Sequence, residues 1–232
     1  MPPVIRQDYL LRLIEQAARM LARLTGLLAE GKTTESIELT DGAAEQWLHL
    51  SIDRLRALDD EEVIEHLRRQ GTLPEFPIRV GVAVGLLRAE SLRLSAAGDE
   101  ATALERKIAA LCLLLRAHIL GLAPDLPEFT PGPGVFLHEL PQAELPDRAA
   151  VLLMCYYEHT AEFGRAEDLL YGLRDRSAGA SWVHELGEKF YERVLRHTDQ
   201  ELAEGNLPRQ EVEESVREWR GHRPGGIVEA QS

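Results

Sequence analysis

The sequence predicts an all-α protein in which helices pack in antiparallel pairs and no sheet is present. Apolar residues recur every three or four positions along most of the chain, which is typical of helices with one buried face. Glycines, prolines and capping residues separate these stretches into about nine helices. The period-two alternation that indicates a strand competes with the helical pattern in a single segment.

The first predicted helix covers 5–31 and has a wide apolar face. Leu13, Met20 and Leu27 widen a stripe of apolar residues at helical spacing. The stripe itself consists of Leu10, Ile14, Ala17, Leu21, Leu24 and Leu28. Because the face is broad, we expect this helix to be buried against two neighbouring helices and to end at the Gly31 turn.

Capping residues and breaks delimit the next two helices. Thr33 or Thr34 is expected to cap a second helix that runs to Ile52. Asp59 is expected to cap a third helix, and glycine and proline in the 71–77 segment end it.

The 78–94 segment is compatible with a strand or a helix, because valines occupy alternate positions. We favour a helix because the apolar pattern continues without a turn. Gly81 and Gly85 then lie on one face, where they permit close backbone packing. A further helix is expected from an Asp99 cap to Gly121, and these two helices should form the most buried pair of the protein.

The 124–146 segment contains six of the 12 prolines and is predicted to contain no helix. An irregular connection of this length is usually a functional loop or a linker between domains. We expect a loop that packs against the helices and that is the candidate for closing over a groove. The apolar residues that favour packing are Val135, Phe136, Leu137 and Leu140.

Helices resume after the proline-rich segment. Asp147 is expected to cap a helix that turns at Gly164 into a second one, and a long helix should cover 181–204. Gly205 then forms a turn and Pro208 opens the last helix. The predicted organisation has an N-terminal helical half, a packed loop, a C-terminal group of helices and a flexible tail, which are residues 1–123, 124–146, 147–221 and 222–232.

Composition indicates a soluble cytoplasmic protein. The formal net charge of −13 argues against nucleic-acid binding, which requires clustered Lys and Arg. No apolar run reaches the length of a membrane span, and no secretory signal is recognisable. Both cysteines, Cys112 and Cys155, lie in apolar helical runs and are expected to be structural.

A helix–glycine–helix pattern recurs along the chain. Gly31, Gly98 and Gly164 each follow a helix end and precede an acidic helix start, and they lie 67 and 66 residues apart. This spacing is close to twice the about 34-residue period of a tetratricopeptide unit. The segment AAVLLMCYYEHTAEFGRAEDLLYGL resembles helix A, the turn and helix B of one such unit. Gly205 follows after only 41 residues, and unrelated helical hairpins with glycine caps are the alternative.

The first residues carry a second resemblance. They are Ile5, Arg6, Gln7, Asp8, Tyr9, Leu11, Arg12, Leu13, Ile14, Glu15 and Gln16. They resemble the opening signature, RQDY followed by R-I-E-Q, of an uncharacterised bacterial family of all-helical, tetratricopeptide-like proteins. The resemblance implies a helical-repeat fold and carries no activity over to this chain.

Candidate binding residues lie at the first helix start and in the C-terminal half. Arg6, Asp8, Tyr9 and Arg12 combine donors and a carboxylate, so a ligand carboxylate or a peptide terminus could dock there. A salt-bridge network that holds the helix is the alternative interpretation.

Tyr157 and Tyr191 are the preferred candidates for lining a groove. Each directly precedes a glutamate, Glu158 or Glu192, so its hydroxyl is expected to stay in contact with water. Core packing is the alternative for both.

The sequence predicts no catalytic, cofactor-binding or metal-binding residues. The HELGE segment at 184–188 lacks the second histidine of a zinc-protease helix. Phosphate loops, nucleophile elbows and dinucleotide fingerprints are also missing from the sequence.

The leading functional prediction is a non-catalytic scaffold that binds a protein or peptide, and its acidity favours a basic partner. One alternative is a small-molecule sensor or enzyme with a pocket between the two halves, under the 124–146 loop. A second alternative is a structural homodimer.

Overall fold

The computed structural model describes residues 3–140, 145–177 and 180–221, and these residues form 12 α-helices and no strand. The helices are α1 (Pro3–Ala29), α2 (Thr33–Ala43), α3 (Ile52–Ala57), α4 (Asp60–Gln70), α5 (Phe76–Ala96), α6 (Glu100–Ile119), α7 (Pro133–Glu139), α8 (Asp147–His159), α9 (Phe163–Arg176), α10 (Ser181–Val194), α11 (Asp199–Glu204) and α12 (Arg209–Gly221). A π-helical turn, Ala44–Leu48, continues α2, and 3₁₀ turns cover Leu73–Glu75 and Ala123–Asp125.

The described residues thus hold three helices more than the predicted nine or so. The predicted second helix is split into α2 and α3, and the predicted 181–204 helix into α10 and α11. The third addition, α7, lies in the proline-rich segment. The all-helical class is confirmed. The chain divides into two compact units, Met1–Pro141 and Gln142–Ser232.

The core of the first unit is the α5–α6 hairpin, which has the most extensive helix–helix interface of the described residues. Val80, Val82 and Val84 are all fully buried in α5, so the alternation that suggested a strand belongs to a helix buried on every side. The helical interpretation of this segment is confirmed. Gly98 closes the hairpin with φ +83°, a left-handed conformation that glycine adopts without strain.

Helix α1 packs on α5 and on α2, which confirms its expected burial against two neighbours. Ala17, Leu24 and Leu27 are the most buried residues of its stripe. Gly85 of α5 makes this approach possible, because a Cβ there would lie 2.8 Å from the Leu21 side chain. The space at Gly85 is therefore filled by the Leu21 side chain. The sequence-based expectation was that the backbones of two helices approach each other there.

The prediction of no helix in 124–146 is wrong, because α7 forms between the prolines. Pro133 occupies the start of α7, where its missing N–H leaves no helical hydrogen bond unmade. Phe136 and Leu140 are buried, and α7 contacts α6. Upstream, Gly81 of α5 provides the space for Thr130 and the Phe129 ring. Residues 141–144 lie outside the described part of the chain.

Two of the four predicted caps are correct. Asp59 forms a complete capping box at α4, and Asp99 accepts the Thr102 N–H at α6. Lys32, without a side-chain cap, precedes α2 in place of a threonine, and Pro146 precedes α8 in place of Asp147. The Asp147 carboxylate instead accepts a hydrogen bond from Arg176 Nε at 2.9 Å.

In the second unit, α8 and α9 form a hairpin, and α10 packs on α12 and α9. The left-handed turn residues here are Ala161 and Asn206, both with φ 58°. Gly164 and Gly205, which were predicted to make these turns, face each other, and the Gly164 N–H donates to the Gly205 carbonyl at 2.9 Å. The predicted tail, 222–232, lies outside the described residues.

Candidate functional site

A cavity of about 230 Å³ opens beside the N-terminal half of α1, and we call it the α1 cavity. It is lined by Tyr9, Leu13, Gln16, Gln46, Trp47, His49, Glu75, Ile78 and Arg79. Three elements supply these residues: one face of α1, the π-helical turn with the residue after it, and the start of α5 with the 3₁₀ turn that precedes it.

The π-helical turn positions one wall of the α1 cavity. It presents Trp47, which is 8% exposed, and it ends in His49, whose φ of 53° is left-handed. Extra-wide helical turns and left-handed non-glycine residues are costly conformations that often occur at functional sites. The ring Nε2 of His66 lies 3.0 Å from the Leu48 carbonyl oxygen and fixes the end of the turn.

A paired acid and base form another part of the lining. Arg79 Nη2 is 3.1 Å from Glu75 Oε2, and the two side chains are only 14% and 15% exposed. The Tyr9 hydroxyl donates to Glu75 Oε1 at 3.3 Å. Partial burial and the Glu75 carboxylate raise the pKa of Tyr9, so its hydroxyl stays protonated at neutral pH.

Arg79 reaches its position because Gly71 has no side chain. A Cβ at Gly71 would lie 2.9 Å from Arg79 Cζ. Arg79 Nη1 is buried and has no hydrogen-bond acceptor among the described residues. The guanidinium is therefore held by packing and by Glu75, and the charge of each partner is compensated by the other.

The charges of Glu75 and Arg79 compensate each other, and the other polar groups of the α1 cavity are carboxamides, an imidazole and a phenol. Gln16 and Gln46 are exposed carboxamides, and His49 is an exposed imidazole. Each of these side chains can donate and accept hydrogen bonds. Trp47, Leu13 and Ile78 complete the wall with apolar surface. Such a lining suits a neutral ligand with alternating donors and acceptors and apolar substituents.

A second cavity, of about 270 Å³, lies between α10 and α12, and we call it the α10–α12 cavity. Its lining residues are Glu188, Tyr191, Glu192, Leu195, Val216, Trp219 and Arg220. Two acidic residues and one basic residue thus lie around an aromatic and aliphatic wall.

Buried polar contacts fix the aromatic wall. Tyr191 is 3% exposed and its hydroxyl donates to Glu167 Oε1 at 2.7 Å. Burial raises the pKa of Tyr191, and the Glu167 carboxylate adds to this effect. Trp219 donates its indole N–H to the His184 carbonyl oxygen at 3.1 Å, and its ring fits over Gly187.

The comparisons with known proteins assign the chain to a family. The model of a family of unknown function, DUF6483, matches residues 4–223. The chain belongs to this family. No curated protein matches the chain, and no solved structure matches it. Membership of DUF6483 confirms the expectation of a family without an assigned activity, and it leaves the tetratricopeptide resemblance as a prediction.

Of the candidate residues at the start of this DUF6483 chain, Tyr9 lines the α1 cavity. Asp8 and Arg12 are exposed on α1 and lie outside the cavity lining. Arg6 lies in α1, and its side chain is outside the described part of the structure.

The expectation that Tyr157 and Tyr191 keep their hydroxyls in water is wrong. Tyr157 is 1% exposed and its ring lies under the Arg165 guanidinium at 4.2 Å, while Tyr191 donates to buried Glu167. A neighbouring glutamate in the chain does not place a tyrosine hydroxyl in water, because successive residues on a helix face different directions. Tyr191 lines the α10–α12 cavity through its largely buried ring.

Several residues in or beside the cavities are not predicted by the sequence. Glu75 and Arg79 have the i,i+4 spacing of a helical ion pair, which was the available signal. The π-helical turn determines the positions of Gln46 and His49, and no sequence pattern predicts such a turn. Glu167 looked like an ordinary surface residue of an acidic helix, although it is 8% exposed.

Within residues 3–140, 145–177 and 180–221, no group of three or more His, Cys, Asp and Glu side chains is arranged to hold a metal ion. His184 and Glu188, of the HELGE segment, lie 3.5 Å apart on adjacent turns of α10. None of the described helices has the length and apolar character required to cross a bilayer.

Proposed function

We propose that this DUF6483 protein is a non-catalytic peptide-binding protein and that the α1 cavity receives the main chain of its partner. The observation that carries the proposal is the lining of that cavity, in which the Glu75–Arg79 pair is neutral as a unit and the exposed groups are two carboxamides, an imidazole and a phenol. A peptide main chain offers an alternating series of N–H and C=O groups, which is the pattern these side chains can satisfy.

The aromatic and apolar part of the lining supports the same proposal. Trp47 and Tyr9 provide flat surface beside which an extended segment can lie, and Leu13 and Ile78 can accept an apolar side chain. Tyr9 is 50% exposed, so a partner can cover it without rearrangement of α1.

The pairing of helices into hairpins supports the part of this proposal in which the protein binds a peptide as tetratricopeptide repeats do. The α5–α6 and α8–α9 hairpins and the 67- and 66-residue spacings between Gly31, Gly98 and Gly164 are compatible with repeats that present helix faces to a peptide. A homodimer remains the alternative occupant of exposed apolar positions such as Leu11 and Leu73.

A peptide library displayed on phage and selected on the intact protein tests the proposal. Selected peptides should bind the wild type, and Gln46→Ala should weaken them about tenfold, the effect of one or two lost hydrogen bonds. Gln70→Ala is the matched control, because Gln70 is an exposed glutamine of the same unit that lies outside the cavity. The circular dichroism spectra should be the same for all three proteins.

A photo-crosslinking amino acid at position 16 then locates the peptide. Crosslinks to a selected peptide should form from position 16 and should not form from position 70. Peptides that bind the wild type, Gln46→Ala and Gln70→Ala alike, or a library that yields no binder, would show that the α1 cavity is not a peptide site.

A further inference from the structure

We infer that the α10–α12 cavity is a second binding site, specific for an organic cation, namely the guanidinium or ammonium group of an arginine or lysine side chain or of a free amine. This inference is independent of the function proposed for the α1 cavity, since it concerns other residues and another ligand chemistry.

The charges around the cavity favour a cation. Glu188 and Glu192 are one helical turn apart on α10 and both line the cavity, while Arg220 of α12 is the one basic lining residue. The lining therefore carries one more negative than positive charge. Glu192 is exposed, and Arg193, the basic residue next to it in the chain, makes its hydrogen-bonded ion pair with Glu158 instead. An incoming cation can therefore pair with Glu192 without breaking the Arg193–Glu158 ion pair.

The wall of the cavity suits the stem of such a cation. Tyr191 and Trp219 contact each other with ring centroids 5.9 Å apart at an angle of 64°. Leu195 and Val216 add aliphatic surface. Arginine and lysine carry an apolar stem below the charged group, so a wall of this kind and an acidic rim match the two parts of the side chain.

The cavity has room for a single side chain or a small amine. Its volume of about 270 Å³ is below the range of pockets that enclose drug-sized ligands, about 300–1,000 Å³. The same aromatic cluster already holds one guanidinium from within the protein, since Arg174 Cζ lies 4.3 Å from the Tyr171 ring centroid and 5.3 Å from that of Trp219.

The anchoring of the wall makes the site preorganised. The Tyr191 hydroxyl is held by Glu167 and the Trp219 indole by the His184 carbonyl, so neither ring has to find its position when a ligand arrives. Preorganised groups bind with a smaller loss of conformational entropy.

Titration of the intact protein with agmatine and with blocked arginine, N-acetyl-arginine amide, tests the inference. The reporter is the indole N–H signal of Trp219 in a ¹H–¹⁵N spectrum, assigned with Trp47→Phe and Trp182→Phe variants. Saturable shifts of this signal are expected with at least one probe. Preference for blocked arginine indicates a residue of a peptide, and preference for agmatine indicates a free amine.

Three variants give the inference its sharpest test. Glu192→Gln should weaken binding about three- to fivefold, and Arg220→Gln should strengthen it by a similar factor, as is typical of exposed ion pairs. Glu185→Gln is the control, because Glu185 is an exposed glutamate of α10 outside the cavity lining. If Glu192→Gln alters the dispersion of the spectrum, Glu188→Gln replaces it and should also weaken binding, although it removes the contact of Glu188 with His184 as well.

Three results would overturn the inference. They are a Trp219 signal that does not shift with either probe, equal effects of Glu192→Gln and Glu185→Gln, and weaker binding in Arg220→Gln, which marks an anion site. Gln46→Ala should leave cation binding unchanged, so failure here is distinguishable from failure of the α1 cavity proposal.

Discussion

At the scale of single residues, the second unit depends on a glycine that no turn requires. Gly187 lies in the middle of α10, where glycine is unfavourable by about 1 kcal/mol relative to alanine. A Cβ at this position would lie 2.2 Å from Trp219 Cε2. The glycine is therefore explained by the indole that rests on it, and Trp219 in turn is 2% exposed and forms the wall of the α10–α12 cavity.

We predict that Gly187→Ala destabilises the protein by about 1–3 kcal/mol, the usual cost of forcing a methyl group into a filled space. Urea denaturation followed by circular dichroism measures the change. Gly172→Ala on α9 is the control, since nothing lies within 4 Å of a Cβ there. The higher helix propensity of alanine should raise the free energy of unfolding by about 0.5–1 kcal/mol. Equal stabilisation by both substitutions would show that Trp219 does not occupy this place.

The buried Glu167–Tyr191 pair makes stability depend on pH. Burial raises the pKa of Glu167 above the ordinary 4.5, against the opposing hydrogen bonds from Tyr191 and Ser215. A carboxyl group with a raised pKa binds more protons in the folded than in the unfolded state. Its contribution to stability is therefore present below pH 4.5 and is lost as the pH rises from there through the folded-state pKa.

We predict that Glu167→Gln removes the loss of stability that accompanies ionisation of Glu167 at rising pH. The amide cannot ionise, and its oxygen can still accept the Tyr191 hydroxyl. The free energy of unfolding of Glu167→Gln relative to the wild type should rise as the pH increases from about 4 to about 7. Urea denaturation at a series of pH values measures it. Glu213→Gln, at an exposed position on α12, should follow the wild type, and a difference that falls with pH would contradict the prediction.

At the scale of helices and turns, the four glycines of the recurring helix–glycine–helix pattern have two different explanations. Two of them adopt a left-handed backbone conformation, and the other two leave room for a neighbouring turn. Gly31 and Gly98 have the left-handed φ that a helix end favours. Gly164 and Gly205 do not. A Cβ at Gly164 would lie 2.5 Å from the Asn206 carbonyl oxygen, and one at Gly205 would lie 2.4 Å from the Ala161 carbonyl oxygen. These two glycines let the α8–α9 and α11–α12 turns touch.

This difference shows which part of the fold was predictable. The helices follow from local spacing of apolar residues, and caps such as Asp59 follow from neighbouring residues, so both were accessible in the sequence. A glycine selected by a contact with a distant turn looks the same in the sequence as one selected for its φ. The contact depends on the tertiary structure, and for Gly164 and Gly205 the sequence therefore suggested the wrong reason.

The short helix α7 was missed for a related reason. Prolines on both sides indicate an irregular segment, and a seven-residue helix has too few turns to show a period. Its stability comes from Phe136, which is fully buried in the first unit and lies 6.0 Å from the Arg88 guanidinium. Tertiary packing outweighs local preference here.

We predict that Phe136→Ala destabilises the protein by about 3–5 kcal/mol, because it leaves a cavity where a fully buried ring was. Val135→Ala is the matched control in the same helix, since Val135 is 38% exposed and its loss should cost less than about 1 kcal/mol. Chemical denaturation measures both. A small effect of Phe136→Ala would show that α7 is a dispensable tether.

At the scale of the whole molecule, the cavities were less predictable than the helices. Tyr9 was singled out from a polar helix start and does line the α1 cavity, but Gln46, His49, Glu75 and Arg79 come from segments far from it in sequence. A cavity is defined by residues that only the fold brings together. The overall acidity, in contrast, was fully readable and affects both cavities through the field that it creates.

That field leads to a prediction that separates the two cavities. With a formal charge of −13, the protein attracts cations at low ionic strength, and raising NaCl from about 0.05 to about 0.5 M shortens the screening length from about 14 to about 4 Å. Agmatine binding to the α10–α12 cavity should weaken severalfold over this range. An uncharged peptide selected on the α1 cavity should change by less than about twofold, because Glu75 and Arg79 already compensate each other.

Isothermal titration at both salt concentrations measures these affinities, and each ligand is the control for the other. If both ligands weaken equally, salt acts on the protein as a whole and the charge difference between the cavities has no effect on binding. If agmatine binding does not respond to salt, neither Glu192 nor the net charge contributes to it, and the attraction comes from the aromatic wall alone. The expected result, a salt response confined to the cation, requires the two cavities to recognise different chemistry.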